Sequence, residues 1–125
     1  QELGIPFIYV RSSAKGHGLG NQIEGHFEKG QKVIVIEDLI STGGSSLVAV
    51  EALREAGCDV KGLVAIFTYG FDVAAENFKA ADCPYVTLTD YDHLIDQALK
   101  LEYINEADVQ SLKKWKNSPG TWSAN

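Results

Sequence analysis

Four consecutive β-branched residues, Val33-Ile34-Val35-Ile36, run directly into Glu37-Asp38-Leu39-Ile40 and then into a turn of hydroxyls and glycines, Ser41-Thr42-Gly43-Gly44-Ser45. This segment constrains the fold more than any other. An unbroken β-branched run is the pattern of a central parallel strand covered on both faces, because alternation is lost where neither face meets water. After the turn, Leu47, Val50 and Leu53, or Val48, Ala52 and Ala56, recur at helical spacing, and Gly57 follows as a stop. Strand, tight turn and helix in that order are the repeating unit of an α/β domain.

The rest of the chain extends the same pattern. Pro6 to Val10 reads as a short buried strand. Arg11 to Asn21 is polar and glycine-rich, a long loop of the kind that is functional or disordered, and Gln22 to Phe27 is expected to return as the second arm of a loose hairpin. Val60 to Phe67 and Tyr85 to Leu88 read as strands, with a helix from Asp72 to Ala80 between them. A third helix is expected to begin at Thr89 with Asp92 as its capping partner. The last is expected to be capped by Asn105, with Asp108 at its third position and Ile104 stapled onto Val109. The tail from Asn117 is expected to fray. The fold class is α/β, a mainly parallel sheet flanked by helices.

At 125 residues the chain fits one domain or most of one. Its formal charge of −6 argues against a broad nucleic-acid or anionic-membrane surface, though a few local cations suffice for a small anion. No apolar run approaches the ~20 residues that span a bilayer. Gln1-Glu2-Leu3-Gly4 lacks the features of a signal peptide. The chain neither starts with Met nor contains one, so it reads as a fragment or a processed chain. Cys58 and Cys83 are far apart and have no ligand-like spacing. Two free thiols in a reducing cytoplasm is the plainest reading; a disulfide or a catalytic thiol are the alternatives.

The chemistry concentrates after the β-branched run. A hydroxyl- and glycine-rich turn opening a helix points backbone N–H groups into one cavity, and the helix terminus adds partial positive charge. Ser41, Thr42 and Ser45 can each add a hydroxyl, and Gly43 and Gly44 allow close backbone approach. Together they form a cradle for a phosphate monoester at the carboxyl end of a strand. The absence of Gly-Lys-Ser/Thr excludes a Walker loop, and no Gly-x-Gly-x-x-Gly marks a dinucleotide site here. Glu37 and Asp38 would repel a phosphate they faced, so sugar hydroxyls beside it are their natural partners. A 5′-phosphate in the turn and ribose hydroxyls on the acids describe a phosphoribosyl group. The alternative is an ordinary strand-end turn with solvated acids and a capping serine.

This segment resembles the phosphoribosyl-pyrophosphate motif of type I phosphoribosyltransferases. Tyr9-Val10-Arg11-Ser12-Ser13-Ala14-Lys15-Gly16-His17-Gly18 is similar to the flexible-loop signature of the orotate phosphoribosyltransferases, and Asn21-Gln22-Ile23-Glu24-Gly25 and Ile66-Phe67-Thr68-Tyr69-Gly70 are also similar to that family. The resemblance covers nearly the whole chain and implies that residues 1–125 are the C-terminal part of a single phosphoribosyltransferase domain. It implies transfer of a phosphoribosyl group from phosphoribosyl pyrophosphate to orotate, giving orotidine monophosphate and pyrophosphate. It further implies that Arg11, Lys15 and His17 meet the pyrophosphate, with Lys15 and Asp38 central to catalysis, and that Mg²⁺ is carried by substrate oxygens with no direct protein ligand. His17 could serve as a proton donor, or magnesium and the two cations could leave nothing for an acid to do. In family dimers the loop, here residues 11–21, closes over the neighbouring subunit's site, which implies a cytoplasmic homodimer.

Two departures stand out. Many relatives carry Lys directly after the loop arginine, where this chain has Ser12. Some relatives place an arginine for the orotate carboxylate in the segment matching Phe67 to Phe71, and none is present here, which leaves Ser41 as a candidate base contact. The rival expectations are a purine phosphoribosyltransferase sharing the cradle, and a non-catalytic regulator that senses phosphoribosyl pyrophosphate.

Overall fold

The structure, a computed structural model, describes residues 2–12 and 22–121. Its elements in chain order are β1 (Tyr9–Val10), β2 (Ile23–Glu24), β3 (Lys32–Ile40), α1 (Gly44–Glu55), β4 (Asp59–Thr68), α2 (Asp72–Ala80), β5 (Tyr85–Asp90), α3 (Tyr91–Lys100) and α4 (Glu106–Asn117). β3, β4 and β5 form a parallel sheet in that order, and β1 pairs antiparallel with β2 as a separate two-residue ladder. The expected flexible loop, with Lys15 and His17, falls largely outside the described residues. No helix among the described residues is long and apolar enough to cross a membrane.

One face of the sheet meets the core. Ile40, Val50, Leu63, Ala65, Ala74, Phe78 and Cys83 are buried together, with Val35 and Tyr85 packed against them. Phe78 is 1% exposed and its ring lies 4.3 Å from that of Tyr85; burying such a side chain contributes roughly 1.5–3 kcal/mol. α1 ends as Gly57 implied: with φ 93° it donates to the Arg54 carbonyl, and Cys58 donates to that of Leu53, the paired bonds of a Schellman motif. The Arg54 guanidinium then reaches the carbonyls of Ala81 and Asp82 at 2.7 and 2.9 Å, fastening α1 to the end of α2. Both cysteines are free and buried, and burial pushes both thiols above their ordinary range, which disfavours the thiolate.

Three expectations need correction. β3 is not covered on both faces among the described residues, and it is an edge strand rather than the central one. Its side chains alternate: Val33, Val35 and Glu37 are half-buried, while Ile34, Ile36 and Asp38 are exposed. Pro6 to Val10 is not a buried strand. Only Tyr9–Val10 pairs, and Phe7 is exposed, because β2 is its only strand partner among the described residues. The third helix starts at Tyr91, not Thr89. β5 continues through Asp90, whose carboxylate accepts from the His93 backbone N–H and so caps the helix. The last helix has the expected capping box. Asn105 accepts from the Asp108 N–H at 3.0 Å, and the Asp108 carboxylate accepts from the Asn105 N–H at 2.9 Å.

Candidate functional site

The turn between β3 and α1 is built from behind. Gly43 holds the left-handed conformation, φ 82°, at the N-cap of α1, and a Cβ there would lie 2.7 Å from Cε2 of Phe78. Only glycine tolerates both the dihedral and that approach. The Asn77 side-chain amide donates to the Thr42 carbonyl at 2.9 Å, so α2 both supports and orients the turn. No side chain caps α1 and its first turn carries no acid. Gly44 N–H is 3.5 Å from the Thr42 hydroxyl, too long to occupy it fully. The first-turn amides therefore keep their hydrogen-bonding capacity and the partial positive charge of a helix terminus for an anion. Thr42, Gly44 and Ser45 are exposed, Ser41 is half-buried, and Gly43 is buried.

The two acids diverge as consecutive strand residues must. Glu37 turns toward α1, where its Oε2 accepts from the hydroxyl of fully buried Ser46 at 3.0 Å, and its Oε1 accepts from the Asp38 N–H at 3.1 Å. Asp38 is exposed and accepts from the Leu39 N–H at 2.7 Å. Each carboxylate retains acceptor capacity beyond these bonds.

Arg11 is not part of this strand–turn–helix unit; it follows the β1–β2 ladder, whose β1 packs near α1. Its N–H donates to the Gln22 carbonyl at 2.8 Å, the Gln22 amide donates back to the Arg11 carbonyl at 3.1 Å, and its guanidinium is paired with Glu24. The structure thus gathers Glu37, Asp38, Ser41, Thr42, Gly43, Gly44 and Ser45 into one unit and leaves Arg11 on another; Lys15 and His17 lie outside the described residues. Sequence reasoning missed Ser46, Asn77 and Phe78. Ser46 was legible as a second serine in the first turn of the new helix. Asn77 and Phe78 act across the gap between helices and carried no local signal.

Known proteins resemble this chain in sequence and in fold. The model of the phosphoribosyl transferase domain family matches residues 1–97. An orotate phosphoribosyltransferase of Phocaeicola vulgatus is 60% identical over 124 residues, covering 99% of this chain and 58% of that protein. The chain thus spans under two thirds of the length of the curated relatives it matches. Among solved structures, Leishmania donovani UMP synthase superposes with a TM-score of 0.77 at 27% identity, over 93% of this chain and 25% of that one. Mycobacterium tuberculosis orotate phosphoribosyltransferase in complex with 5-phospho-α-D-ribosyl 1-diphosphate gives 0.57 at 33% identity, over 68% of this chain and 47% of that one. With 97 of its 125 residues matched, this chain belongs to the phosphoribosyl transferase domain family.

Proposed function

We propose that the full-length protein is an orotate phosphoribosyltransferase, transferring the phosphoribosyl group of phosphoribosyl pyrophosphate to orotate with release of pyrophosphate, a step of pyrimidine nucleotide synthesis. The carrying observation is the uncapped, acid-free start of α1 held open by Gly43 against Phe78, directly after an acid pair. The 60% identity to a curated orotate phosphoribosyltransferase supports orotate as the base. In this reading residues 1–125 are the C-terminal part of one phosphoribosyltransferase domain.

In the proposed mechanism Thr42, Gly43, Gly44 and Ser45 hold the 5′-phosphate through backbone amides and hydroxyls. Asp38, and Glu37 through its remaining lone pairs, accept from the ribose hydroxyls and fix the anomeric carbon. Ser41 stands where the base enters. Bond breaking at that carbon builds cationic charge on the sugar and negative charge on the departing pyrophosphate; Arg11, Lys15 and His17 meet the latter. Contacts made chiefly in the transition state lower the barrier, whereas contacts made equally in the ground state do not. Glu37 and Asp38, each bonded to a neighbouring backbone N–H, suit a hard cation that keeps its shell on water and substrate and takes no direct protein ligand. Mg²⁺ bound by pyrophosphate and sugar oxygens would neutralise the leaving group. The protein is read as a cytoplasmic homodimer in which loop residues 11–21 act on the partner's site.

The test is a competition assay on the full-length protein with orotate, hypoxanthine, guanine and adenine as acceptors. Orotate should be consumed in preference to every purine. Preferred use of a purine would make the protein a purine phosphoribosyltransferase, and binding of phosphoribosyl pyrophosphate without turnover would make it a sensor.

A further inference from the structure

The geometry points to Lys116, on the last turn of α4, as the residue that selects a base bearing a carboxylate; this inference rests on the reading of the protein as an orotate phosphoribosyltransferase. The site is reached from the sheet. The Tyr69 N–H donates to the Ile40 carbonyl at 3.1 Å, so the chain leaves β3 at Ser41 and β4 at Tyr69, one residue before Gly70, on the same carboxyl edge. A base joined to a sugar that extends from the phosphate turn toward β4 would lie along that edge. Gly70 is exposed, and the space that a side chain there would enter is held by Lys116: a Cβ would lie 3.5 Å from its Nζ. The segment Phe67 to Phe71 carries no cation of its own, and α4 delivers one to the same place from a distant part of the chain.

Its surroundings fit an anionic planar ring. Tyr69 and Phe71 stack at 5.4 Å with an 11° angle between rings, and Trp115 lies 5.4 Å from Tyr69 and 5.8 Å from Phe71. Trp115 is inclined at 64° to Tyr69 and 56° to Phe71, and the three rings together offer apolar surface against which a planar ring can pack. Asp92 accepts from Nζ at 2.7 Å and fixes the head group, while an ammonium has three donors and so retains two. The Lys116 side chain is only 21% exposed, so a carboxylate reaching it exchanges less water than at an open surface. A neutral pyrimidine of the same shape would leave those donors without a charged partner, which is how a site built for one substituent rejects the analogue lacking it.

The experiment measures transfer to orotate and to uracil by the full-length protein and its Lys116→Ala, Lys116→Met, Lys116→Arg and Asp92→Asn variants. Lys116→Ala should raise KM for orotate roughly tenfold or more, narrow the preference for orotate over uracil by a similar factor, and leave KM for phosphoribosyl pyrophosphate within about twofold. Lys116→Met keeps the packing of the side-chain stem and should show the same loss, and Lys116→Arg should restore most of the preference. Asp92→Asn keeps the ammonium and should retain it. If Lys116 merely joins α3 to α4 through its ion pair, Asp92→Asn will reproduce the loss, and the inference is overturned. An unchanged orotate KM in Lys116→Met overturns it too, while the functional reading stands. A wild-type protein that uses a purine and refuses orotate overturns both.

Discussion

The phosphate turn and the stem of the loop are expected to serve one reaction, yet they are built by opposite rules. The turn is finished before any ligand arrives: Gly43 lies against buried Phe78, Asn77 holds the Thr42 carbonyl, and Glu37 is tied to buried Ser46. The stem is two paired residues on each side, closed by one backbone bond and one side-chain amide bond between Arg11 and Gln22 and by an exposed ion pair to Glu24. A group that binds substrate in every state gains from rigid support, since no ordering cost remains to be met at binding. A group needed only as charge develops gains from being held elsewhere beforehand. On the proposed reading, the turn serves ground-state binding and the loop serves the transition state.

The largest expected effect lies on the loop side. Lys15→Ala in the full-length protein should lower turnover by about 2.7–4 kcal/mol of barrier, roughly two to three orders of magnitude, with little change in KM. Mixing it with Asp38→Asn under conditions of subunit exchange should give activity above the sum of the parents, because one site of a mixed dimer has both residues intact. Activity equal to that sum, with exchange demonstrated, would place the loop in its own subunit.

On the turn side, Gly43→Ala must adopt a positive φ and displace Phe78. Strain of about 1–3 kcal/mol is expected, read as a lower urea midpoint together with a higher KM for phosphoribosyl pyrophosphate. Unchanged binding with lowered stability would break the link between support and affinity. Asp38→Asn should cost roughly 1.5–3 kcal/mol, at least tenfold, in ribose recognition with an unaltered circular dichroism spectrum. Wild-type turnover would remove Asp38 from the site.

Smaller effects sharpen the contrast. Glu24→Gln frees Arg11 from an exposed pair worth about 0.2–1 kcal/mol, so turnover should rise by up to about fivefold with little change in KM. A fall instead would show that Glu24 aims the arginine rather than occupying it. Asp90→Ala, at the start of α3, should cost about 1 kcal/mol of stability and leave turnover alone. Donation from His93 lowers the Asp90 carboxyl below its ordinary range, and that carboxylate raises the His93 imidazole. The aspartate's contribution is present above the ordinary value of 3.8 and is lost as pH falls through the lowered one. The histidine's is present below 6.5 and is lost as pH rises through the raised one. The difference between wild type and Asp90→Ala should therefore be greatest between those two values and shrink on either side.

What the sequence disclosed follows the range of the interaction. The α2 boundaries, the Gly57 stop and the Asn105–Asp108 capping box depend on residues within a turn or two of one another, and all were legible. The strand–acid–turn segment was legible because its chemistry is contiguous from Glu37 to Ser45. Asn77 behind Thr42 and Lys116 beside Gly70 join residues 35 and 46 positions apart, and nothing local to either partner announces the other. The error at β3 has a different origin. A β-branched run looks the same whether its second face is covered by this chain, by another, or by none. Pattern therefore identified an apolar surface correctly and assigned its cover wrongly.

That surface governs how the chain would behave as a material. Ile34, Ile36, Ile66, Val86 and Leu88 are each more than half exposed on one side of the sheet, and nine-residue β3 leaves one edge unpaired among the described residues. Flat apolar area beside an open backbone edge is a template for adding further strands, and a charge of −6 spread over 125 residues is a weak barrier to such contact. Residues 1–125 produced alone should therefore bind hydrophobic dyes, scatter light increasingly with concentration, and gain solubility from acidic substitutions at Ile66 or Leu88. For this chain, the practical choice of expression boundaries is a question of colloidal stability.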